Sequence, residues 1–290
     1  MTPFLFVYVN IGLDRISTPC CDDAMLKIVT IFFVTFLLVP AVPFAKTSSA
    51  PFNSSILEIT GKMPSGGGYD TSATTFGRFK NAISIREKQI VIAAENTTPS
   101  FCSSSTYVVF LKLISKLQAE KKLELTDETQ KALLVNGQQD GAGVWGRWNA
   151  NGPGTARLFY QLQLGENFTD LTRAEPGDFM KAFWTEEIGA KERGHSVIFT
   201  GTKKDSEGSK ICFWSSNSAS KEQPAGMGEK CLAEKKFKHM LFSRLKAPEN
   251  LNQIAKKMAA GSDSYTDEYL AAMLKRGSSR EEMCKLVGCE

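Results

Sequence analysis

A thiol and an imidazole are the two side chains in this sequence that, brought together, can attack an amide. Cys102 stands in PSFCSSSTYVVFL, directly before a run over 103–119 with helical apolar spacing. His195 stands in GHSVIF, after a glycine and at the head of a short apolar run that reads as a strand. A thiol attacks only as thiolate, and an ordinary one is mostly protonated near neutral pH. Two features address this here. A helix N-terminus carries about half a positive charge, and an imidazole within reach pairs with the sulfur as imidazolium. The first N–H groups of the same helix can receive the oxyanion of an acyl-transfer intermediate. A third group that orients the ring is expected from Ser215, Ser216 or Asn217 in the following strand. Asn217 is favoured because its amide oxygen can accept the distal ring N–H. The competing reading is an inert thiol before a helix. Against it, the chain has two histidines, and the other, His239, lies in KKFKH, which reads as an exposed basic helix.

The cysteines point the same way. Two of the seven, Cys20 and Cys21, precede a twelve-residue apolar run at 28–39, IVTIFFVTFLLV. That run follows Lys27, is shorter than the about 20 residues of a membrane span, and leads into small residues, the pattern of an export signal. Cleavage is expected after Ala45 or Ala50, and Met25 makes a better start for such a signal than Met1. An uncleaved anchor is the alternative. Cys102, Cys212, Cys231, Cys284 and Cys289 remain, an odd number. In an oxidising compartment an odd cysteine is a free reactive thiol or an intermolecular one. If Cys102 is the free one, locality favours Cys212–Cys231 and Cys284–Cys289, with two other pairings open. All five as small buried hydrophobes is the remaining reading.

The elements that must position this chemistry can be read from periodicity. A short helix is expected over 73–85, a strand over 88–94, a long helix over 103–119 with Ser103, Ser104 and Ser105 offering cap oxygens, and a helix over 126–135 behind Thr126. The Gly- and Asn-rich stretch 136–155 reads as loop, after which Pro153 opens a helix over 154–164. Strands are expected at Phe179–Trp184, Ser196–Thr200 and Ile211–Ser216, with GTKKDSEGSK as the turn between the last two and a short strand near 229–233. Residues 234–245 read as helix, and 249–290 as a helical tail with a capping box at Ser279–Glu282. The expected class is α+β: a nucleophile helix packed on an antiparallel sheet. The expected division is a signal-bearing extension at 1–50, a catalytic domain at 51–245 and a helical appendage at 246–290.

PSFCSSSTYVVFL resembles the nucleophile segment of the NlpC/P60 cell-wall peptidases, where an Asp-Cys-Ser-Gly run opens a long helix. PGDFMKAFW followed by GHSVIFTG resembles that family's next pair of strands. The likeness covers about 95–220. It implies a papain-like fold, Cys102 as nucleophile, His195 as base, and Ser216 or Asn217 at the polar position of the next strand. It also implies a substrate class, the amide bonds of peptidoglycan stem peptides. Phe101 and Ser104 depart from the family's Asp and Gly, and the stretch around 136–155 lengthens the Cys-to-His spacing.

Other residues could line a cleft. Tyr69, in GGGYDTS, is placed like an upstream tyrosine of some family members; Asp70 beside it is less informative. Trp145, Arg147, Trp148 and Asn149 could cover and pair with a substrate, or could fold their loop onto the core. Asp178 in PGD reads as a turn residue, and Lys235, Lys236 and Lys238 as a solvated face. No metal or cofactor is expected: there is no CxxC or HExxH, and SGGGYD lacks a phosphate-loop lysine. The net charge of +4, with no long run of like charge, gives no support to nucleic acid as a partner. Two other uses of the same residues stay open: acyl transfer through the same thioester, and a non-catalytic wall-binding module.

Overall fold

The sheet follows from short apolar strands between 165 and 245, each carrying side chains to alternate faces. The computed structural model describes residues 50–150, 152–221, 223–259 and 266–289. The expected export segment, its start and its cleavage positions up to Ala45 lie outside these. The described residues fall in one compact unit, Thr47–Glu290.

The helices are α1 (Asn53–Gly61), α2 (Ala73–Ala82), α3 (Cys102–Ala119), α4 (Asp127–Leu133), α5 (Gly143–Asn149), α6 (Gly154–Leu162), α7 (Ile254–Ala259), α8 (Asp267–Met273) and α9 (Arg280–Val287). The strands are β1 (Gly66–Gly67), β2 (Ile83–Arg86), β3 (Gln89–Ile92), β4 (Gly165–Phe168), β5 (Phe179–Phe183), β6 (Ile188–Gly189), β7 (Gly194–Asp205), β8 (Gly208–Asn217), β9 (Gly226–Ala233), β10 (His239–Leu245) and β11 (Gly277–Ser278). Seven strands form one antiparallel sheet in the order β1-β9-β8-β7-β5-β10-β4. The class is therefore α+β, built on an antiparallel sheet.

Helix α3 is the central element. Tyr107, Val109, Phe110, Leu111, Leu113 and Ile114 have no exposed surface, so this helix is apolar nearly all round and enclosed. Lys112, Ser115 and Lys116 lie on its half-exposed side, and the polar residues of its first turns tie it to the sheet. Thr106 Oγ1 lies 3.1 Å from Ser196 Oγ on β7, and Ser105 Oγ accepts the Ser216 N–H of β8 at 3.0 Å. Ser104 reaches back to the cap, accepting the Phe101 N–H at 3.0 Å.

Alternation in β5 sets two faces. Phe179 joins the core around α3, Met180 and Ala182 join the cluster on the other side, and Lys181 falls between on the α3 side. That second cluster is rich in rings, with Phe168 and Phe242 stacked at 5.3 Å between β4 and β10.

Several expected elements differ. Residues 234–245 are not helical: one short 3-10 turn, Glu234–Lys236, leads into β10, which lies inside the sheet between β5 and β4. The lysines of KKFKH belong to that turn and the strand entrance, so His239 is strand-borne and its side chain is 16% exposed, with Nε2 3.2 Å from Glu186. The 136–155 stretch contains a helix, α5, whose low intrinsic propensity is overridden by burying Val144, Trp145, Arg147 and Trp148. The helix expected over 73–85 stops at Ala82, and Ile83 starts β2, which turns at Glu87 and Lys88 to pair with β3. Both turn residues have positive φ, 48° and 59°, the tight hairpin geometry that Asn-Gly ordinarily signals. Strands β7 and β8 run on through the expected long turn, leaving only Ser206 and Glu207 between them.

The C-terminal segment packs against the same unit: Asn167 Nδ2 on β4 donates to Val287 O at 2.7 Å, and β11 pairs with β6. Both locally paired disulfides form, Cys212–Cys231 and Cys284–Cys289, leaving Cys102 free. Cys212 and Cys231 are direct cross-strand partners in the β8–β9 ladder. The double variant Cys212→Ala/Cys231→Ala is expected to lose about 3 kcal/mol, the chain-entropy effect of a loop of this length. Denaturant midpoints of the oxidised proteins measure this, and an unchanged midpoint would contradict it.

Candidate active site

Cys102 is the first residue of α3 and is half-buried. Its side chain hydrogen-bonds with His195 and with the backbone N–H of Ser196. His195 is the second residue of β7, and Asn217 the last of β8. The β7–β8 ladder pairs Ile198 with Trp214 and Phe199 with Phe213, a register that continues to place His195 opposite Asn217. His195 Nε2 lies 3.1 Å from Asn217 Oδ1. The amide's orientation is fixed because Asn217 Nδ2 donates to Ser215 O and to Gly228 O, each at 3.0 Å. The oxygen must therefore face the ring, so Nε2 carries the proton and Nδ1 is left for the thiol. The imidazole is held between the rings of Phe213 at 5.9 Å and Trp184 at 6.2 Å.

The electrostatics favour a thiolate. Burial pushes the Cys102 thiol up. The His195 hydrogen bond and charge, the Ser196 N–H and the charge of Lys181 outweigh that and bring it down to about 6. The Tyr69 hydroxyl also bonds with the Cys102 sulfur; burial first, and then the thiolate's charge, hold that hydroxyl above its ordinary range. Tyr69 is thus a protonated donor beside the sulfur. It is positioned by a backbone bridge to Ser100, just before the nucleophile segment.

A cleft of about 260 Å³ opens over the sulfur. Tyr69, Cys102 and Ser103 line one part of it, and Gln139, Asp140, Trp148 and Asn149 another, with Lys181 and Ser196 on the sheet side. Asn149 organises one wall: its Oδ1 accepts from Ser103 Oγ, and its Nδ2 donates to Gln139 O and, at 2.7 Å, to Asp140 Oδ1. Lys181 pairs with Glu192 at 2.5 Å, and the Glu192 side chain is 1% exposed.

The nine residues singled out from sequence therefore divide. Cys102, His195 and Asn217 come together, and Tyr69, Trp148 and Asn149 join Cys102 in the cleft. Trp145 and Arg147 do not line it: both are fully buried, Trp145 among Phe79, Tyr107 and Phe101, and Arg147 against the Tyr269 ring. Arg147, two positions before Asn149, points away from it, and Trp145, a full turn before it, is sunk into the core, neither of which a loop reading foresees. Ser216 is buried as well; its hydroxyl donates to Ser100 O at 3.0 Å and fastens β8 to the strand-like lead into α3.

Lys181 and Asp140 are not singled out by the sequence reading, and Ser103 is singled out there only as a helix cap. Lys181 is the one charged residue in an otherwise apolar strand, and Asp140 the one acid in the 136–155 stretch, which are the signals that mark them. Among the described residues, Cys212, Glu229 and Cys231 are the one group spaced to hold a metal, and both cysteines are consumed by their disulfide. The chain matches no protein-family model, no curated protein and no solved structure.

Proposed function

We propose that this chain is an exported, thiol-dependent hydrolase of papain-like NlpC/P60 type that cleaves amide bonds in peptidoglycan stem peptides. The observation that carries the chemistry is the array of a thiol on the first residue of α3, a strand-borne imidazole and an amide oxygen, with the thiol lowered to about 6. The resemblance of the Cys102 and His195 segments supplies the substrate class, and the two disulfides fit export into an oxidising compartment.

In this reading the Cys102 thiolate attacks the amide carbon and forms a C–S bond. The oxyanion is received by the Cys102 N–H at the start of α3 and by the Tyr69 hydroxyl. His195 gives its Nδ1 proton to the leaving nitrogen as the C–N bond breaks, which frees an amine and leaves a thioester. Water then attacks that thioester, His195 Nδ1 takes its proton, and the carboxylic acid departs as the thiolate re-forms. Asn217 holds the ring in one tautomer throughout and stabilises the imidazolium.

The test is mass spectrometry of muropeptides from purified sacculi treated with the protein, before and after alkylation of Cys102. Hydrolysis adds one water per bond and creates a new amine, and alkylation removes both signals. Product masses also separate water from an amine or alcohol as the acceptor. Sacculi left unchanged by the unmodified protein defeat the proposal.

A further inference from the structure

Charge in the cleft is not balanced. Lys181 is neutralised by Glu192 at 2.5 Å, and the thiolate by the imidazolium it pairs with. Asp140 remains. Its Oδ1 accepts from Asn149 at 2.7 Å, and it has no further hydrogen-bond or ion-pair partner among the described residues. It lines the same cleft as Cys102, so a group meeting it lies close to the scissile bond. The cavity, about 260 Å³, is smaller than the roughly 300–1,000 Å³ of pockets for drug-sized ligands, which leaves room for a residue or two beside the sulfur.

A half-buried carboxylate held by one neutral donor is costly until a cation meets it. The position is built rather than incidental. Asn149, which holds Asp140, is itself held by Ser103 of α3, next to the nucleophile. Gln139 and Asp140 come from the 136–155 stretch, which lengthens the Cys-to-His spacing.

We propose that Asp140 receives a primary ammonium of the substrate, one residue or so from the scissile amide. The site thereby selects amine-bearing peptides against their N-acylated counterparts. This rests on the reading of Cys102 as a nucleophile toward stem peptides, and names what the cleft requires of them. Burial raises the Asp140 carboxyl above its ordinary value, while Asn149 and the charge of Lys181 oppose that rise, and an ammonium in contact would oppose it further.

The experiment uses the Cys102→Ala protein, which binds without turnover. The soluble stem-peptide pool from digested sacculi is offered to it before and after acetylation of every primary amine, and retained peptides are counted by mass spectrometry. Acetylation is expected to weaken retention by on the order of ten- to a hundredfold, the weight of one charge-assisted hydrogen bond. Asp140→Asn in the same background keeps the acceptor for Asn149, and is expected to retain both pools equally weakly. Asp140→Glu, which keeps the charge, should recover part of the preference, and thermal melting shows that each variant is folded. Equal retention of both pools, no retention of either, or a preference that survives Asp140→Asn overturns the proposal. If the preference appears and the wild-type chain still hydrolyses nothing, the catalytic reading fails while this one stands.

Discussion

Replacing His195 with alanine is expected to lower turnover by on the order of 10⁶-fold, as loss of a base from a nucleophile–base pair does elsewhere, and also to switch the thiol off. The second effect is the more diagnostic. In the wild-type chain the thiolate fraction rises as pH passes about 6, so alkylation of Cys102 should reach half its maximal rate there and fall away below. The strongest influence on this thiol is burial, which opposes ionisation; the imidazole is the largest one favouring it. Without His195, the Ser196 N–H and Lys181 remain, and the midpoint must move upward. Alkylation at pH 6 to 7 then becomes slow, although the sulfur is still present. Cys102→Ala is the reference: it shares the loss of turnover and has no thiol to alkylate. A His195→Ala protein whose alkylation midpoint stays near 6 would show that the imidazole does not set the thiolate. The same shift has a stability side. The native thiol ionises below its unfolded value, so the thiolate stabilises the fold fully above the ordinary thiol range, and this contribution is lost as pH falls through about 6.

Which parts of the site can be read from sequence depends on how locally they are specified. Cys102 and α3 are legible because one continuous segment carries the serine-rich start and the apolar face. His195 is legible at the head of its strand, and its partner is legible only to within a few neighbours of β8, because a bulge between Phe199 and Gly201 shifts the β7–β8 register by one: counted from the turn, Ser218 rather than Asn217 would face the ring. Both disulfides follow from proximity in sequence. Strand β10 is not legible. HMLFSRL becomes a strand because β5 and β4, formed some 60 to 80 residues earlier, offer it two edges. Nothing within the segment announces those edges, and the lysines before it imitate a helix face. Helix α5 fails for the opposite reason: its glycines and asparagines argue for loop, and only the interior it fills makes it helical. That error carries into the site, because Trp145 and Arg147 separate from Trp148 and Asn149 only once a turn of helix is known to run through them. The sheet side of the cleft is a matter of phase. Lys181 reaches the cleft because its two neighbours in β5 face the other way.

Loss of Arg244 is expected to be the most damaging single change to stability away from the site. Asp178 is fully buried, and four donors converge on its carboxylate. Arg244 gives two, Nε to Oδ1 at 2.9 Å and Nη2 to Oδ2 at 2.8 Å; Asn53 Nδ2 gives a third at 2.9 Å and the Glu175 N–H a fourth at 2.8 Å. The sequence reading of Asp178 as a turn residue holds for the Glu175 bond, but its larger role is to join α1, β5 and β10 through one carboxylate. Arg244→Met fills similar space and leaves the carboxylate buried with two neutral donors. Breaking a buried pair from one side costs about 3–5 kcal/mol, which for a domain of this size lowers Tm by roughly 6–20 °C. The double variant Asp178→Asn/Arg244→Met removes the orphaned charge as well and should recover much of that loss, because replacing both members of a buried pair is far less harmful than removing one. Thermal melts of the wild type, the single and the double variants measure the cycle. A single variant within about 0.5 kcal/mol of wild type, the spread of an ordinary surface change, would refute the account. Neither residue lines the cleft. Alkylation of Cys102 in the folded fraction of Arg244→Met should therefore keep its midpoint near 6, which separates damage to the frame from damage to the chemistry.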